Sequence, residues 1–142
     1  MSVKLYTPVV LGLTTELADY PFNPSLPYIS EARSQSCGSA ILAGFEIDGN
    51  TGIGRLGMTV SACAMGQAGA AIFARHAVGK SPAQIVEASG NVAAWLAGAA
   101  ALPHWPDLHL LDEVRNYPAR HGAVMLSWRA ASEALCNLRV QR

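Results

Sequence analysis

Cys37 and Cys63 are the side chains with the strongest claim to chemistry in this sequence. Gly38 follows the first and lets a backbone approach a bound group closely. Cys63 directly precedes a helical pattern, and a helix start favours thiolate, the form that binds metal or attacks sulfur. Two thiolates a few ångströms apart suit Zn²⁺, or an iron–sulfur cluster where further ligands arrive. The same pair also reads as two buried cysteines acting as small apolar residues. A third reading is a reversible disulfide, which needs Cα atoms within about 7 Å. His121, at the start of the last helical stretch, is the best further ligand by type. His76, His104 and His109 have only their type in their favour. Cys136 lies three and a half helical turns past Ala123, roughly 20 Å along a helix, and reads as a structural or surface thiol. No Ser/His/Asp pattern or paired carboxylates stand out. Gly49 to Gly54 lies between strands, with no helix after it to cradle phosphate.

The elements that position the pair follow from periodicity. Leu5, Val9, Val10, Leu13 and Leu17 recur at helical spacing over residues 4–18. Pro21, Pro24 and Pro27 make 19–36 a connector that forbids regular helix and is free to run extended. Ile41, Ala43, Phe45 and Ile47 then alternate with polar or small neighbours. Gly49-Asn50-Thr51-Gly52 is turn chemistry, and Leu56, Met58 and Val60 alternate beyond it. A turn centred on Asn50 and Thr51 sets Phe45 against Leu56, Ala43 against Met58 and Ile41 against Val60, apolar facing apolar throughout. Extended outward, that register sets Cys37 opposite Ala64 and Gly38 opposite Cys63. Opposed residues lie roughly 5 Å apart and diagonals roughly 7–8 Å.

A helix is expected from Met65 to Val78, closed by Gly79. Ser81-Pro82-Ala83-Gln84 opens another, which runs to about Leu96 with Gly98 beyond. A short helix over Asp107–Val114 and a last one from Pro118 toward Leu138 complete the chain. The sum is α+β: an N-terminal helix, a small antiparallel sheet (hairpin 39–48/53–61), then several helices packed on one face. Trp95, Trp105 and Trp128 read as core. Arg55, Arg75, Arg115 and Arg129 read as solvated.

The 142 residues suit one domain, 1–142, that buries its own core. Hydrophobic residues make up 51% and charged residues 14%, which excludes a disordered tail. Ten basic against ten acidic residues give zero net charge, which argues against nucleic-acid binding and against a polybasic membrane anchor. No apolar run reaches eighteen residues and no secretory signal opens the chain, so the expected compartment is the cytoplasm, without membrane attachment. Cysteines there are thiols or ligands rather than disulfides.

Cys37-Gly38-Ser39, a hairpin, Ser61-Ala62-Cys63-Ala64-Met65-Gly66-Gln67-Ala68 and Gly79-Lys80-Ser81 follow one another in an order that resembles the NifU-like (IscU/SufU) iron–sulfur cluster assembly scaffolds. Val114-Arg115-Asn116-Tyr117-Pro118-Ala119-Arg120, then Leu126-Ser127-Trp128-Arg129-Ala130, look most like the SufU branch. The stretch Trp95-Leu96-Ala97-Gly98 and the N-terminal Leu5-Tyr6 fit that branch too. The resemblance spans nearly the whole chain and implies the fold already reached from patterning.

What the resemblance implies is a scaffold or carrier rather than a catalyst. It would bind a [2Fe–2S] cluster or Zn²⁺ through Cys37 and Cys63, with His121 as a third ligand. Its partners would be a cysteine desulfurase and recipient apo iron–sulfur proteins. Two family positions are altered: the Asp after Cys-Gly is Ser39, and the third Cys, five residues before the Trp, is Ala123. Arg120 keeps the Arg near the site. In the family the third Cys accepts sulfur from the desulfurase, and alanine cannot form a persulfide. A serine hydroxyl stays protonated at neutral pH and ligates metal poorly. A second subunit in a homodimer, glutathione or water would have to complete the ligand set. The alternative is a degenerate member with no metal, kept as an interaction or regulatory protein for a cysteine desulfurase.

Overall fold

The computed structural model describes residues 5–35, 38–49 and 52–140, the last four of these by backbone alone. Cys37, the turn centre Asn50–Thr51 and the expected helix start at residue 4 lie outside the described residues.

Helix α1, Pro8–Thr14, begins where the Thr7 hydroxyl accepts the Val10 N–H at 3.2 Å and Pro8 occupies the first turn. It is shorter than the 4–18 stretch that the periodicity indicates. The Thr14 and Thr15 hydroxyls donate back to the Leu11 and Gly12 carbonyls at 2.7 and 2.8 Å. Such back-bonding competes with the helical ladder, and the chain tightens into a 3-10 turn over Thr15–Asp19.

The proline-rich connector holds a third strand. β1, Tyr28–Arg33, starts directly after Pro27 and pairs antiparallel with β2, Ala40–Asp48. β2 pairs in turn with β3, Gly52–Ser61, giving the order β1-β2-β3. Phe45 faces Leu56, Ala43 faces Met58 and Ile41 faces Val60, as the alternation requires. Nearer the turn the register slips: Glu46 faces Arg55 but Ile47 faces Ile53, leaving Gly54 as the extra residue of a bulge.

The outer edge of β3 is covered. Met58 N–H donates to the Tyr20 carbonyl at 2.8 Å, and Ile53 N–H to the Lys80 carbonyl at 2.9 Å. Helices cover one face of the sheet. α2, Ala64–Ala77, lies against β3, and α4, His121–Val140, against β1 and β2. α3, Pro82–Leu96, packs on α4 behind the expected Ser81–Gln84 capping box.

The core centres on α2. Ala68, Ala71 and Ala77 are fully buried, and their small side chains let neighbours close in from several sides. Phe45, Phe73, Trp105 and Trp128 meet there, with ring centroids of touching pairs 5.4–6.3 Å apart. Trp105 and Trp128 are buried as expected, and so is Trp95. Where a short α-helix is expected from Asp107, the chain forms 3-10 turns over Leu108–Asn116, kinked at Leu111. Asp107 itself takes a left-handed conformation (φ 71°).

Candidate functional site

The β2–β3 ladder ends at Ala40 opposite Ser61. Beyond that pair, Gly38 and Ser39 lead into β2, while Ala62 and Cys63 lead out of β3 into α2. Gly38, Ser39 and Cys63 therefore share one end of the hairpin. The pairing does not continue to Cys63 itself, because α2 begins at Ala64.

Cys63 is the N-cap residue of α2, extended at φ −63° and ψ 169°, and half-buried. Its carbonyl accepts the Gln67 N–H at 3.0 Å, and the Gln67 amide donates to the Ala62 carbonyl at 2.9 Å. These bonds fix the backbone at the helix start. The thiol makes no capping bond to the helix.

On the way into β2, Gly38 is exposed with φ +71°, a conformation glycine takes at little strain. Ser39 is buried, and its carbonyl accepts the Ser34 N–H at 2.8 Å, closing the connection from β1. Ala123, the third residue of α4, is buried against the first turn of α2. A Cβ placed on Gly66 would come within 3.1 Å of the Ala123 Cβ. Gly38, Ser39 and Cys63 thus lie at one end of the hairpin, and Ala123 packs on the first turn of the helix that Cys63 starts.

His121 opens α4 two residues earlier, and its Nε2 is 3.0 Å from the Val114 carbonyl. That bond leaves Nδ1 as the nitrogen open to a metal. Arg120 sits over the Tyr6 ring at 5.6 Å. Among the described residues no three His, Cys, Asp or Glu side chains are placed to hold a metal ion. Cys136 lies further along α4, with its thiol donating to the Glu133 carbonyl at 3.4 Å, away from this end. His104 and His109 are exposed.

A second cluster escaped the sequence reading. Arg75, expected to be solvated, donates from Nε to Glu16 at 2.7 Å and from Nη1 to Asp107 at 3.0 Å. His76 Nε2 lies 2.8 Å from the same Asp107 carboxylate. Arg115 is engaged as well, donating to the Trp95 carbonyl at 3.0 Å with its guanidinium over that ring. The partners of Arg75 come from elements far apart in sequence, so no spacing could announce them.

The hydrogen bond from Arg75 holds the Glu16 carboxyl below its ordinary 4.5. The bond to His76, with Arg75 behind it, holds Asp107 below its ordinary 3.8. Because both folded values are depressed, the stability they contribute is complete above about pH 5 and disappears as pH falls through the lowered values. Glu16→Gln/Asp107→Asn should therefore cost about 1 kcal/mol at pH 7. By urea unfolding, that gap should narrow at pH 3. A gap of equal size at both pH values would contradict this account.

No family model matches the chain, and no curated protein matches it in sequence. Solved structures do. The N-terminal part of a nitrogen-fixing NifU-like protein from Brucella abortus superposes with a TM-score of 0.87 at 20% identity, over 98% of this chain and 97% of that one. A protein from thermophilic Fervidobacterium islandicum AW-1, described as an iron–sulfur cluster assembly scaffold for the SUF system, superposes at 0.83 and 20% identity. That match covers 95% of this chain and 99% of the other. The fold that the resemblance implies is borne out: the chain has the α+β architecture of the NifU-like and SufU proteins. Among the described residues no helix is long and apolar enough to cross a membrane.

Proposed function

We propose that this chain is a divergent NifU/SufU-like domain that works in iron–sulfur cluster assembly, carrying a cluster or Zn²⁺ on Cys37 and Cys63. The observation that carries the reading is the end of the hairpin. There Cys63 starts α2 with its thiol making no capping bond to the helix, at the same end as Gly38 and Ser39, and Ala123 packs on Gly66 in the first turn of that helix. In sequence Cys37 is the next residue before Gly38. Two thiolates are half of the four ligands that closed zinc and cluster sites use. His121 through Nδ1 is the proposed third ligand, and a second subunit, glutathione or water supplies the rest. Arg120 adds a positive charge at the start of the helix that carries Ala123.

The proposed partners are a cysteine desulfurase and recipient apo iron–sulfur proteins, in the cytoplasm. Ala123 cannot take sulfur as a persulfide, so the chain is a holder of metal or cluster rather than a catalyst. One finding favours a second reading. The place of the family's third thiol is filled by an alanine packed tightly on Gly66, which suits a member kept for binding a desulfurase without metal.

The test is metal and acid-labile sulfide content of anaerobically purified protein, for the wild type and for Cys37→Ser/Cys63→Ser. Iron and sulfide lost in the double variant are the expected result for a cluster carrier, and zinc lost in the same way for the sulfur-handling branch. Ala123→Cys should raise occupancy by restoring a thiolate beside Gly66. No metal in any of the three proteins would overturn the carrier reading in favour of the second.

A further inference from the structure

We infer that the outer edge of β1 is a self-association surface, on which a second copy of this chain adds its own β1 antiparallel across a two-fold axis at Ala32.

The backbone of β1 defines the edge. Ser34 N–H donates to the Ser39 carbonyl. In an antiparallel ladder such bonded pairs recur at every second residue. Ala32, Ser30 and Tyr28 therefore bond to Ile41, Ala43 and Phe45 in β2, while Ile29, Glu31 and Arg33 aim their N–H and C=O groups outward. The Arg33 carbonyl confirms the direction by accepting Arg129 Nη1 from α4 at 3.0 Å. Among the described residues no backbone group pairs with this edge, whereas the β3 edge is covered at both Met58 and Ile53. The outward residues are open to solvent: Ile29 is 44% exposed, and the Glu31 and Arg33 side chains are 54% and 69% exposed.

Charge selects both the occupant and the register. Glu31 and Arg33 stand two apart on one face and pair within the strand at 3.1 Å. So exposed a pair contributes little to the monomer and gives way easily. Pairing β1 with a second β1 requires outward residues to oppose outward residues. Centred on Glu31, the pairing sets Glu31 against itself. Centred on Ser30, it sets Arg33 against Pro27, which has no N–H. Centred on Ala32, it sets Glu31 against Arg33 of the second copy twice over, with Ile29 against Gln35. Opposite charges facing each other across strands are stabilising, and like charges are not.

The helix side agrees. Glu133 of α4 accepts the Ser30 hydroxyl at 3.0 Å, while Arg129 reaches Arg33. The same two-fold sets Arg129 level with Glu133 of the second copy. Two separate charge pairs, one on each face of the strand, thus favour the same axis.

Sedimentation velocity over a protein concentration series at low salt tests the inference. Wild type should dimerise with concentration, and more weakly as salt screens the pairs. Glu31→Arg and Arg33→Glu each set like charges across the axis, and each should weaken the dimer about tenfold or more, with far-UV circular dichroism unchanged. Mixed in equal amounts, the two variants bring opposite charges together again at both contacts across the axis, so the mixture should recover dimer. Wild type that stays monomeric throughout would overturn the inference, as Glu31 and Arg33 would then act only to guard the edge. A dimer indifferent to both variants, or a mixture that stays monomeric, would overturn it equally.

Discussion

Phe73→Ala is expected to remove about 3–5 kcal/mol of stability, a large share of the roughly 5–15 kcal/mol that holds such a domain together. Phe73 is fully buried and lies at the meeting point of the fold. Its ring stacks on Trp105 at 5.6 Å and 9°, and meets Trp128 edge-on at 5.4 Å and 78°. Phe45 of β2 approaches it from the sheet side at 6.3 Å. The cavity left by the ring would border rings from β2, from α4 and from the chain ahead of the 3-10 turns. Those rings are already fixed. Trp105 is held by its indole N–H on the Ile72 carbonyl at 3.1 Å, and Trp128 is completely enclosed. The site cannot collapse cheaply, which places the cost toward the upper part of the range. Urea unfolding followed by tryptophan fluorescence measures it, and the melting temperature should drop by about 10–15 °C. Leu102→Ala is the control: Leu102 is 46% exposed and should change stability by less than about 0.5 kcal/mol. A loss under about 1 kcal/mol for Phe73→Ala would mean that the aromatic cluster does not organise the core.

That cluster was legible as a set of core residues and illegible as a contact. Three tryptophans in an apolar chain of low charge belong inside, but only the fold decides that Phe73 meets Trp105 and Trp128. The hairpin was more fully legible. Alternation has a period of two, and a wrong register would turn Ile41 and Phe45 outward, so the sequence leaves one pairing. The slip at Glu46/Ile47 was not, because a glycine-rich turn accepts a bulge as readily as a tight turn. β1 was hidden for another reason. Only Ala32 of its six residues is buried, so the strand has almost no hydrophobic pattern, and the prolines before it suggest a plain connector.

The candidate site divides in the same way. Cys63 at a helix start follows from local pattern alone. The approach of Ala123 to α2 was legible only through its spacing from Trp128 within the family resemblance. The bond from His121 to the Val114 carbonyl, and the Arg75 network, join elements that the fold alone brings together.

Gly57→Ala is the other substitution of large expected effect, and its sign opposes what propensity suggests. Alanine narrows the unfolded ensemble, which by itself would stabilise by about 0.4–1 kcal/mol. At position 57 there is no room for it. A Cβ there would fall inside 3.0 Å of the Pro21 carbonyl oxygen, and would sit 3.0 Å from the Pro21 carbonyl carbon and 3.3 Å from the Phe22 Cα. All three atoms are backbone, so no side-chain rotation relieves the contact. Either β3 bends away or residues 20–22 lift off it. The second course gives up the Met58–Tyr20 hydrogen bond and the short parallel bridge between Pro21 and Met58. Overpacking together with a lost backbone hydrogen bond should cost about 2–4 kcal/mol net. The uncovered β3 edge would also make the variant prone to aggregate. Gly12→Ala is the matched comparison. Gly12 is exposed in α1 with nothing within 4 Å of a Cβ, and alanine there should stabilise by about 0.5–1 kcal/mol. Paired urea titrations give both signs, and hydrogen exchange at the Met58 amide reports whether the 20–22 segment has lifted. Equal effects of the two substitutions, or an unchanged Met58 exchange rate in a destabilised Gly57→Ala, would show that the cover over β3 is not what the glycine permits.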